Sequence, residues 1–378
     1  MTLRVAHLIE SDGPGGAERV VASLATALQA QGAANVVIVP ERGEGWLPRQ
    51  LQGTGVTTEL APLDQPFSRR TSQWLVDTLR RHRVTLAHSH EFTMALCGAW
   101  AARRAGVPHL FTMHGGRYYA GRWRRRIALR VAATMSSATV AVSHSVARHL
   151  SRDLWIRPRR IVTIPNGASM TPVGASTLRG ELGLEAGDQL ALAVGNLYPV
   201  KGHRLLLDAL ALLAHSFPRL HVAIAGRGEL EGDLRLRAGA LGLSGRVHLL
   251  GLRADIGNLL AGADVFVLPS LSEGLPLALI EAMLAARPIV ATAVGEIPTV
   301  LSDGAGALVP PGDAPALADA LAHLLSDPAR ALGAGAAAAR RATQEYTLNA
   351  MVDRYAALYA SLQHPATGRL GALPRAAC

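Results

Sequence analysis

Short apolar runs alternate with longer amphipathic segments along most of the chain, which predicts repeated strand and helix units. In the first half, strands are predicted at 3–9, 35–39, 84–89, 109–113, 139–143 and 161–165. In the second half, they are predicted at 190–195, 221–226, 247–250, 264–268, 289–292 and 307–309. Helices are predicted between them, among others at 17–31, 73–83, 203–215, 229–241, 276–286 and 314–326. This order indicates an α/β chain with two doubly wound domains, each a parallel sheet covered by helices on both faces.

Glycine and proline mark where the chain divides. Gly, Pro, Ser and Thr cluster at 168–187, which predicts a linker between a first domain at 1–170 and a second at 171–348. An amphipathic pattern at 346–362 predicts a C-terminal helix, placed in a segment 349–364 of its own. We expect the tail 365–378 to be disordered and the segment 40–52 to be a mobile loop.

The composition excludes several classes of protein. No apolar run reaches the roughly 18–20 residues of a membrane span, and the first residues are too strand-like for a signal peptide. Cys97 and Cys378 lie far apart without metal-ligand spacing, so a reducing cytoplasmic compartment is expected. The formal net charge of +10 indicates either a base-composition bias that favours Arg, Ala, Gly and Leu, or an anionic partner such as a membrane or a phosphorylated substrate. Nucleic acid is not expected, because no zinc-finger spacing, RNP-like motif or basic tail is present.

One basic residue differs from all the others. Of the 38 basic residues, 37 are arginine, and Lys201 is the only lysine. Chance retention is one explanation. The alternative is a position that requires a compact point charge, such as a contact to a phosphate.

The segment 264–283 carries the most specific chemistry. An apolar run that predicts a buried strand is followed by a polar loop with Glu273, and Pro276 then suits the start of a helix that contains Glu281. A strand, a loop and a helix N-terminus form an anion site at the carboxyl edge of a parallel sheet. Carboxylates at such a site can accept hydrogen bonds from sugar hydroxyls, so the segment predicts a nucleotide-sugar site.

This segment, S-E-G-L-P-L-A-L-I-E-A-M, resembles the E-x7-E motif of retaining glycosyltransferases of family 4, with seven residues between Glu273 and Glu281. The resemblance covers Leu3 to about Leu362. It implies a GT-B fold, with two Rossmann-like domains that face a central cleft, and a C-terminal helix that returns to the first domain. The donor then binds mainly to the second domain and the acceptor to the first.

The resemblance assigns donor-binding roles in the second domain. Glu273 is expected to hold the hydroxyls of the sugar and Glu281 those of the ribose, and Gly274 and Leu275 belong to the same binding segment. Lys201 matches the lysine that holds the diphosphate in this family. Two further residues concern a second phosphate contact. Asn196 stands where the family usually has an arginine, and Arg227 is a candidate to replace that arginine.

In the first domain, the strand 3–9 runs into a glycine-rich turn and then a helix. The turn is not a G-x-G-x-x-G motif, but its G-G-A-E form matches the first loop of the family, where Gly15 and Gly16 face the phosphates and sugar of the donor. His114 follows another strand and is expected to contact the transferred sugar or to line the acceptor side. A structural role for these residues is the alternative.

Two histidines on one strand raise the question of a metal. His88 and His90 are two residues apart, so both imidazoles project from one face of the strand. A third ligand is not evident from the sequence, and enzymes of the GT-B fold are similarly independent of metals. We therefore predict neither a metal site nor another cofactor.

A basic and aromatic segment follows His114. It contains candidate contacts to an anionic membrane surface or to a lipid-carried acceptor, namely Arg117, Arg122, Trp123, Arg124, Arg125 and Arg126. A solvated basic helix is the alternative. The segment predicts a cytoplasmic protein that binds peripherally to the inner face of the plasma membrane.

Together, the residues and the resemblance predict a retaining, metal-independent hexosyltransferase. Its donor is expected to be a UDP-sugar, with GDP-mannose-like donors next, and its acceptor a hydroxyl of a lipid-linked or cell-surface glycan precursor. A nucleotide-sugar 2-epimerase and a non-catalytic protein that binds a nucleotide sugar are the alternatives.

Overall fold

The computed structural model describes residues 2–63, 68–115, 122–170 and 174–363. The chain forms two compact units. Unit 1 combines Met1–Asn166 with Leu348–Cys378, and unit 2 is Gly167–Thr347. The predicted tail 365–378 and Arg117 lie outside the described residues.

Unit 1 contains a parallel sheet of seven strands in the order β3-β2-β1-β4-β5-β6-β7. These strands are β1 (Arg4–Leu8), β2 (Ala34–Pro40), β3 (Thr57–Ala61), β4 (Leu86–His90), β5 (His109–Met113), β6 (Ala138–Ala141) and β7 (Ile161–Thr163). The helices between them are α1 (Gly16–Ala30), α2 (Trp46–Leu51), α3 (Arg69–Arg81), α4 (Glu91–Ala105), α5 (Trp123–Met135) and α6 (His144–Leu154).

Unit 2 contains a parallel sheet of six strands in the order β10-β9-β8-β11-β12-β13. These strands are β8 (Gln189–Val194), β9 (Leu220–Ala225), β10 (Val247–Gly251), β11 (Val265–Leu268), β12 (Ile289–Thr292) and β13 (Ala307–Val309). The helices are α7 (Leu178–Glu181), α8 (His203–Leu213), α9 (Glu231–Ala240), α10 (Ile256–Gly262), α11 (Leu277–Leu284), α12 (Ile297–Val300), α13 (Ala314–Ser326) and α14 (Pro328–Glu345). The last helix, α15 (Leu348–Gln363), belongs to unit 1 and packs against α1 and β4.

Both sheets are buried on two faces. On β8, Leu190 and Leu192 pack into one apolar cluster, whereas Ala191 and Ala193 pack into the cluster on the opposite face. This alternation follows from the two-residue period of a strand, and it explains why the strands read as continuous apolar runs. The predicted α/β class with doubly wound sheets is confirmed.

Each sheet has a point where the chain order reverses. In unit 1 the chain builds outward from β1 to β3 and then returns to place β4 beside β1. In unit 2 it builds outward from β8 to β10 and then returns to place β11 beside β8. In open α/β sheets, ligands bind at the carboxyl edge beside such a reversal point.

Three predictions about local structure were wrong. The segment 40–52 is not simply a loop, because it contains α2, whose Leu47 and Leu51 are fully buried in the core. The strand β3 was missed, since its first three residues, Thr57, Thr58 and Glu59, are polar and it contains no apolar run. The predicted linker 168–187 includes α7, which is fixed by the buried Leu178.

Within the described part of the chain, no helix combines the length and the apolar character needed to cross a bilayer.

Candidate functional site

The reversal point of unit 2 brings together two residues that were singled out separately. Lys201 lies on the loop after β8, and Glu273 lies on the loop after β11. The Lys201 Nζ atom is 2.6 Å from Glu273 Oε1, and the Ser270 hydroxyl donates to the same oxygen at 2.7 Å. The carboxylate is nearly buried, with 8% of its side chain exposed, whereas the Lys201 side chain keeps 26% exposure. This edge of the sheet therefore holds an ion pair whose cation solvent can still reach.

A glycine requirement fixes the course of the Lys201 loop. Gly202 has φ +67°, and a Cβ atom there would lie 1.9 Å from the Pro269 carbonyl oxygen. The loops after β8 and β11 thus touch through their backbones, because the Leu271 N–H also donates to the Val200 carbonyl at 2.8 Å. Any side chain at 202 would force these loops apart and separate Lys201 from Glu273.

The loop after β9 lies on the other side of the Lys201 loop. Here the Leu197 N–H donates to the Arg227 carbonyl at 2.8 Å, which ties the two loops together. Gly226 is required because a Cβ atom would lie 2.0 Å from the Gly195 carbonyl oxygen. The Arg227 side chain is exposed and Asn196 is half-buried, so the structure places both predicted phosphate contacts on adjacent loops at this edge.

The remaining donor-site predictions fall on α11 and the turn before it. Gly274 and Leu275 are buried in that turn, and Glu281 is inside the helix with only 4% exposure. The turn is held by Gly295, where a Cβ atom would lie 2.1 Å from the Glu273 carbonyl oxygen. Glu281 is therefore presented by a rigid helix rather than by a loop.

Sequence reasoning missed His203, the first residue of α8. Its Nε2 atom lies 3.2 Å from the Gly195 carbonyl oxygen, and its Nδ1 atom is buried without a partner among the described residues. Burial lowers the pKa of this imidazole to about 4, so the ring is neutral at pH 7. Its position directly after Lys201 and Gly202 was the available signal.

In unit 1, the glycine-rich turn after β1 has a clear structural component. A Cβ atom on Gly15 would lie 2.2 Å from Glu18 Oε2, so this glycine makes room for the Glu18 carboxylate. Burial raises the pKa of that carboxyl, and the Ser11 hydroxyl donates to it at 2.5 Å. Gly16 differs, because a Cβ atom there would have nothing within 4 Å. Gly16 is thus the position of the pair that leaves backbone open to a ligand.

His114 lies directly after β5 in a group of buried imidazoles. Its Nε2 atom is 3.0 Å from His90 Nδ1, and its backbone N–H donates to Glu91 at 3.1 Å. Its Nδ1 atom is buried and has no partner among the described residues. Burial lowers the pKa of His114 to about 4, so the ring is neutral at pH 7.

No third metal ligand beside His88 and His90 is evident from the sequence, but the structure places His7 next to them. His7 on β1 pairs in register with His88 on β4, and the ligand atoms of His7, His88 and His90 lie within 4.8 Å of one another. A third ligand on a neighbouring strand is invisible to a spacing rule. Both ring nitrogens of His88 have hydrogen-bond partners. Nδ1 lies 2.6 Å from the Tyr359 hydroxyl, and Nε2 lies 2.7 Å from the Thr112 hydroxyl. The prediction of no metal stays a prediction.

The basic segment divides into exposed and packed residues. Arg122, Trp123 and Arg124 are exposed at the start of α5, with 65% of Trp123 accessible. Arg125 and Arg126 are half-buried, and Arg126 donates two hydrogen bonds to the Asp153 carbonyl. Arg125 also lies over the Phe92 ring, so both arginines have structural contacts. Of the five predicted patch residues that the structure describes, three are exposed.

Comparison with known proteins identifies the family. The family model described as Glycosyl transferases group 1 matches residues 188–327, and the model Glycosyltransferase Family 4 matches residues 14–171. The chain belongs to glycosyltransferase family 4. It is 31% identical over 363 residues to a phosphatidyl-myo-inositol mannosyltransferase of Mycobacterium leprae. The aligned region covers 87% of this chain and 90% of that protein.

Two further similarities extend this result. The chain is 30% identical over 269 residues to the UDP-Gal:alpha-D-GlcNAc-diphosphoundecaprenol alpha-1,3-galactosyltransferase of Escherichia coli, covering 67% of this chain and 69% of that protein. The solved structure of HepE from Anabaena in complex with UDP-glucose matches with a TM-score of 0.84 and 25% identity, over 95% of this chain and 100% of that chain. The predicted GT-B fold is confirmed.

Proposed function

We propose that this glycosyltransferase moves a hexosyl unit from a UDP-sugar to a hydroxyl of a lipid-linked or cell-surface glycan precursor, with retention of configuration. The observation that carries the proposal is the Lys201–Glu273 pair at the reversal point of the unit 2 sheet. A cation beside a carboxylate at this edge of the sheet matches the two needs of a nucleotide sugar, a phosphate contact and a hydroxyl acceptor. The similarity to a UDP-Gal transferase and to a UDP-glucose complex supports UDP.

Stabilising the leaving group is the main task of such a site. The departing nucleoside diphosphate gains negative charge in the transition state, and Lys201 can meet that charge. The Gly202 backbone constraint keeps the lysine loop in place before the donor arrives, so little reorganisation is needed. Arg227 can supply the second cation that Asn196 lacks, because their loops are joined by the Leu197 hydrogen bond.

The two carboxylates have different surroundings that suit different hydroxyls. Glu273 is shared with Lys201 and Ser270, so it lies at the charged end of the site and is assigned to the transferred sugar. Glu281 is buried on a helix and is assigned to the ribose. In the retaining mechanism of the family, the leaving phosphate takes the proton of the acceptor on the same face. No protein nucleophile, metal ion or other cofactor is then required.

The exposed part of α5 supports a peripheral membrane role. The Arg124 guanidinium lies 5.5 Å from the centre of the Trp123 ring. One helical turn later, Ile127 is also exposed, so the two apolar side chains lie on the same face of α5. An interfacial helix presents aromatic and apolar groups at headgroup depth and cations to anionic lipids. We propose that this surface brings the enzyme to a lipid-carried acceptor on the cytoplasmic side of the membrane.

Thermal shifts with UDP, GDP, ADP and CMP test the donor. A ligand present at 100 times its dissociation constant adds about 2.7 kcal/mol of stability, and we expect UDP alone to do so. Stabilisation by GDP alone would indicate a GDP-sugar as the donor, and no stabilisation by any of the four nucleotides would contradict the proposed donor site. Incubating the responding UDP-sugar with and without acceptor separates transfer, which releases UDP only with acceptor, from epimerisation. Activity in EDTA tests the independence from metals.

A further inference from the structure

We propose that Asn35 is a positioning residue for His114. It acts through His7 and His90, and it fixes which ring nitrogen of His114 carries the proton. The proposal concerns the buried residues Asn35, His7 and His90 and the half-buried His114. These four residues of unit 1 form a continuous chain of hydrogen bonds from β2 to the end of β5. The link from His114 to a substrate rests on the proposed function, whereas the proton arrangement does not.

The orientation of the Asn35 amide is determined by a backbone group. One amide atom lies 3.0 Å from the Ala33 carbonyl oxygen, which can only accept, so this atom is the NH₂ group. The same group faces Gln29 Oε1, an oxygen that also accepts from the Asn35 backbone N–H. The other amide atom is therefore the oxygen, and it faces His7 Nε2 at 3.3 Å. His7 must donate from Nε2.

The arrangement then passes from ring to ring, because a neutral imidazole has one donor and one acceptor nitrogen. With the proton on Nε2, His7 Nδ1 is an acceptor, and its neighbour His90 Nε2 at 3.4 Å must donate. His90 Nδ1 is consequently an acceptor, and His114 Nε2 at 3.0 Å must donate. The His114 Nδ1 atom is left with its lone pair.

Neutrality of all three rings supports this assignment. Burial lowers the pKa of His7 to about 4, that of His114 to about 4, and that of His90 well below its usual range. A charged ring would donate from both nitrogens and would break the order of the chain. At pH 7 each ring therefore keeps a single proton.

The consequence is a specific preference at His114. Its buried Nδ1 atom, which has no partner among the described residues, accepts a hydrogen bond and cannot donate one. A hydroxyl of the transferred sugar satisfies it, whereas a phosphate oxygen does not, since both atoms would be acceptors. His114 thus favours a ligand group that can donate a hydrogen bond over one that can only accept.

Nitrogen-15 NMR of histidine-labelled protein tests the proton arrangement directly, because protonated and lone-pair ring nitrogens have well-separated shifts. In the wild type at pH 7 we expect a protonated Nε2 and an unprotonated Nδ1 for His114, with the signals assigned by their loss in His114→Gln. The opposite tautomer, an imidazolium or an averaged signal would overturn the proposal. So would a shift of the His7 and His90 signals on adding Zn²⁺ to EDTA-treated protein, which would indicate a metal site.

The variant Asn35→Leu removes the acceptor that orients the chain. We expect mixed tautomers at His7, His90 and His114, and unchanged signals for His109, a buried histidine bonded to Ser89 and Ser136 instead. Thr71→Val is the matched control, since it also replaces a buried polar residue of unit 1 but lies outside the chain. Unchanged His114 signals in a folded Asn35→Leu protein would contradict the positioning role. If this variant does not fold, the wild-type spectrum still decides the tautomer.

Measuring the binding of UDP and UDP-sugars tests whether the tautomer of His114 affects recognition of the sugar. The test ligand is UDP-glucose or UDP-galactose, whichever stabilises the wild type more. Asn35→Leu is expected to weaken its binding by about three- to tenfold, which corresponds to the loss of one hydrogen bond. Free UDP should bind as before, because it has no sugar hydroxyl for His114. Equal loss for both ligands would mean a merely structural effect. If the wild type binds neither ligand, the proposed function fails while the spectrum still decides the proton arrangement.

Discussion

Unit 1 and unit 2 have the same kind of sheet but carry different chemistry where the strand order reverses. In unit 1, the adjacent strands β1 and β4 contribute the neutral rings of His7, His88 and His90, all fully buried. In unit 2, the loops after β8 and β11 contribute the charged pair of Lys201 and Glu273. A shared fold therefore fixes the place of the site, and the residues at the strand ends decide its electrostatics.

The neutral histidines of unit 1 and the charged pair of unit 2 suit two different kinds of ligand recognition. In the roles proposed above, the unit 1 cluster acts through the direction of hydrogen bonds between neutral rings. The unit 2 pair acts through the charge of Lys201, whose side chain keeps 26% exposure. Acid, removal of charge and surface substitution should therefore affect the two units differently.

The largest expected effect is the loss of unit 1 stability in mild acid. The unfolded chain has histidine pKa values near 6.5, whereas the folded pKa is about 4 for His7 and His114 and about 3 for His109. Between these values the unfolded state binds more protons, so stability present above pH 6.5 is lost as the pH falls toward 4. These pKa differences correspond to about 3 kcal/mol each for His7 and His114 and to about 5 kcal/mol for His109.

Tryptophan fluorescence measures this loss in unit 1 alone, because all five tryptophans are at positions 46, 74, 100, 123 and 155. The melting temperature should fall steadily from pH 7 to pH 5. His109→Gln removes one titrating ring, so unfolding should take up about one proton fewer. The melting temperature of this variant should therefore depend less steeply on pH. A melting temperature independent of pH in this range would mean that the rings are not buried as described.

The second largest effect is expected from Lys201→Ala. Loss of a fixed donor to the leaving group typically lowers the rate 10²–10³-fold, or about 3–4 kcal/mol, and the turnover number of the purified variant measures it. The fold should persist, since Lys201 is half-exposed. Arg204→Ala is the matched control, because Arg204 lies on the same element boundary but pairs with Asp233 at the surface. Near-normal turnover of Lys201→Ala would remove the lysine from the mechanism.

Much of the fold could be predicted because buried parallel strands are apolar throughout. The strands β5, β12 and β13 have the predicted bounds, whereas β3 at the sheet edge lacks that signal. The contact of Lys201 with Glu273 crosses 72 positions and follows only from the strand order. The third histidine, His7, was missed for the same reason, since its neighbours His88 and His90 are close in space but not in sequence.

A smaller effect is expected from Glu281→Gln, which tests the second carboxylate of unit 2. Hydrogen bonds to a charged group contribute about 1.5–3 kcal/mol, so UDP and UDP-sugars should all bind roughly 10- to 100-fold more weakly by calorimetry. The loss should be equal for both, because the ribose is common to them. Glu229→Gln, on an exposed loop of the same sheet edge, should change little. A loss confined to the sugar nucleotides would contradict the ribose assignment.

The smallest effect separates the surfaces of the two units. Arg124→Gln on α5 should weaken binding to vesicles that contain anionic lipid by about fivefold, since one cation near such a surface contributes about 1 kcal/mol. Arg235→Gln in unit 2 is the matched control, because Arg235 is also an exposed helical arginine but pairs with Glu231 within α9. Vesicle sedimentation at low salt measures both variants, and high salt should release the wild type. Equal losses for the two variants would show that net charge, and not the α5 surface, brings the enzyme to the membrane.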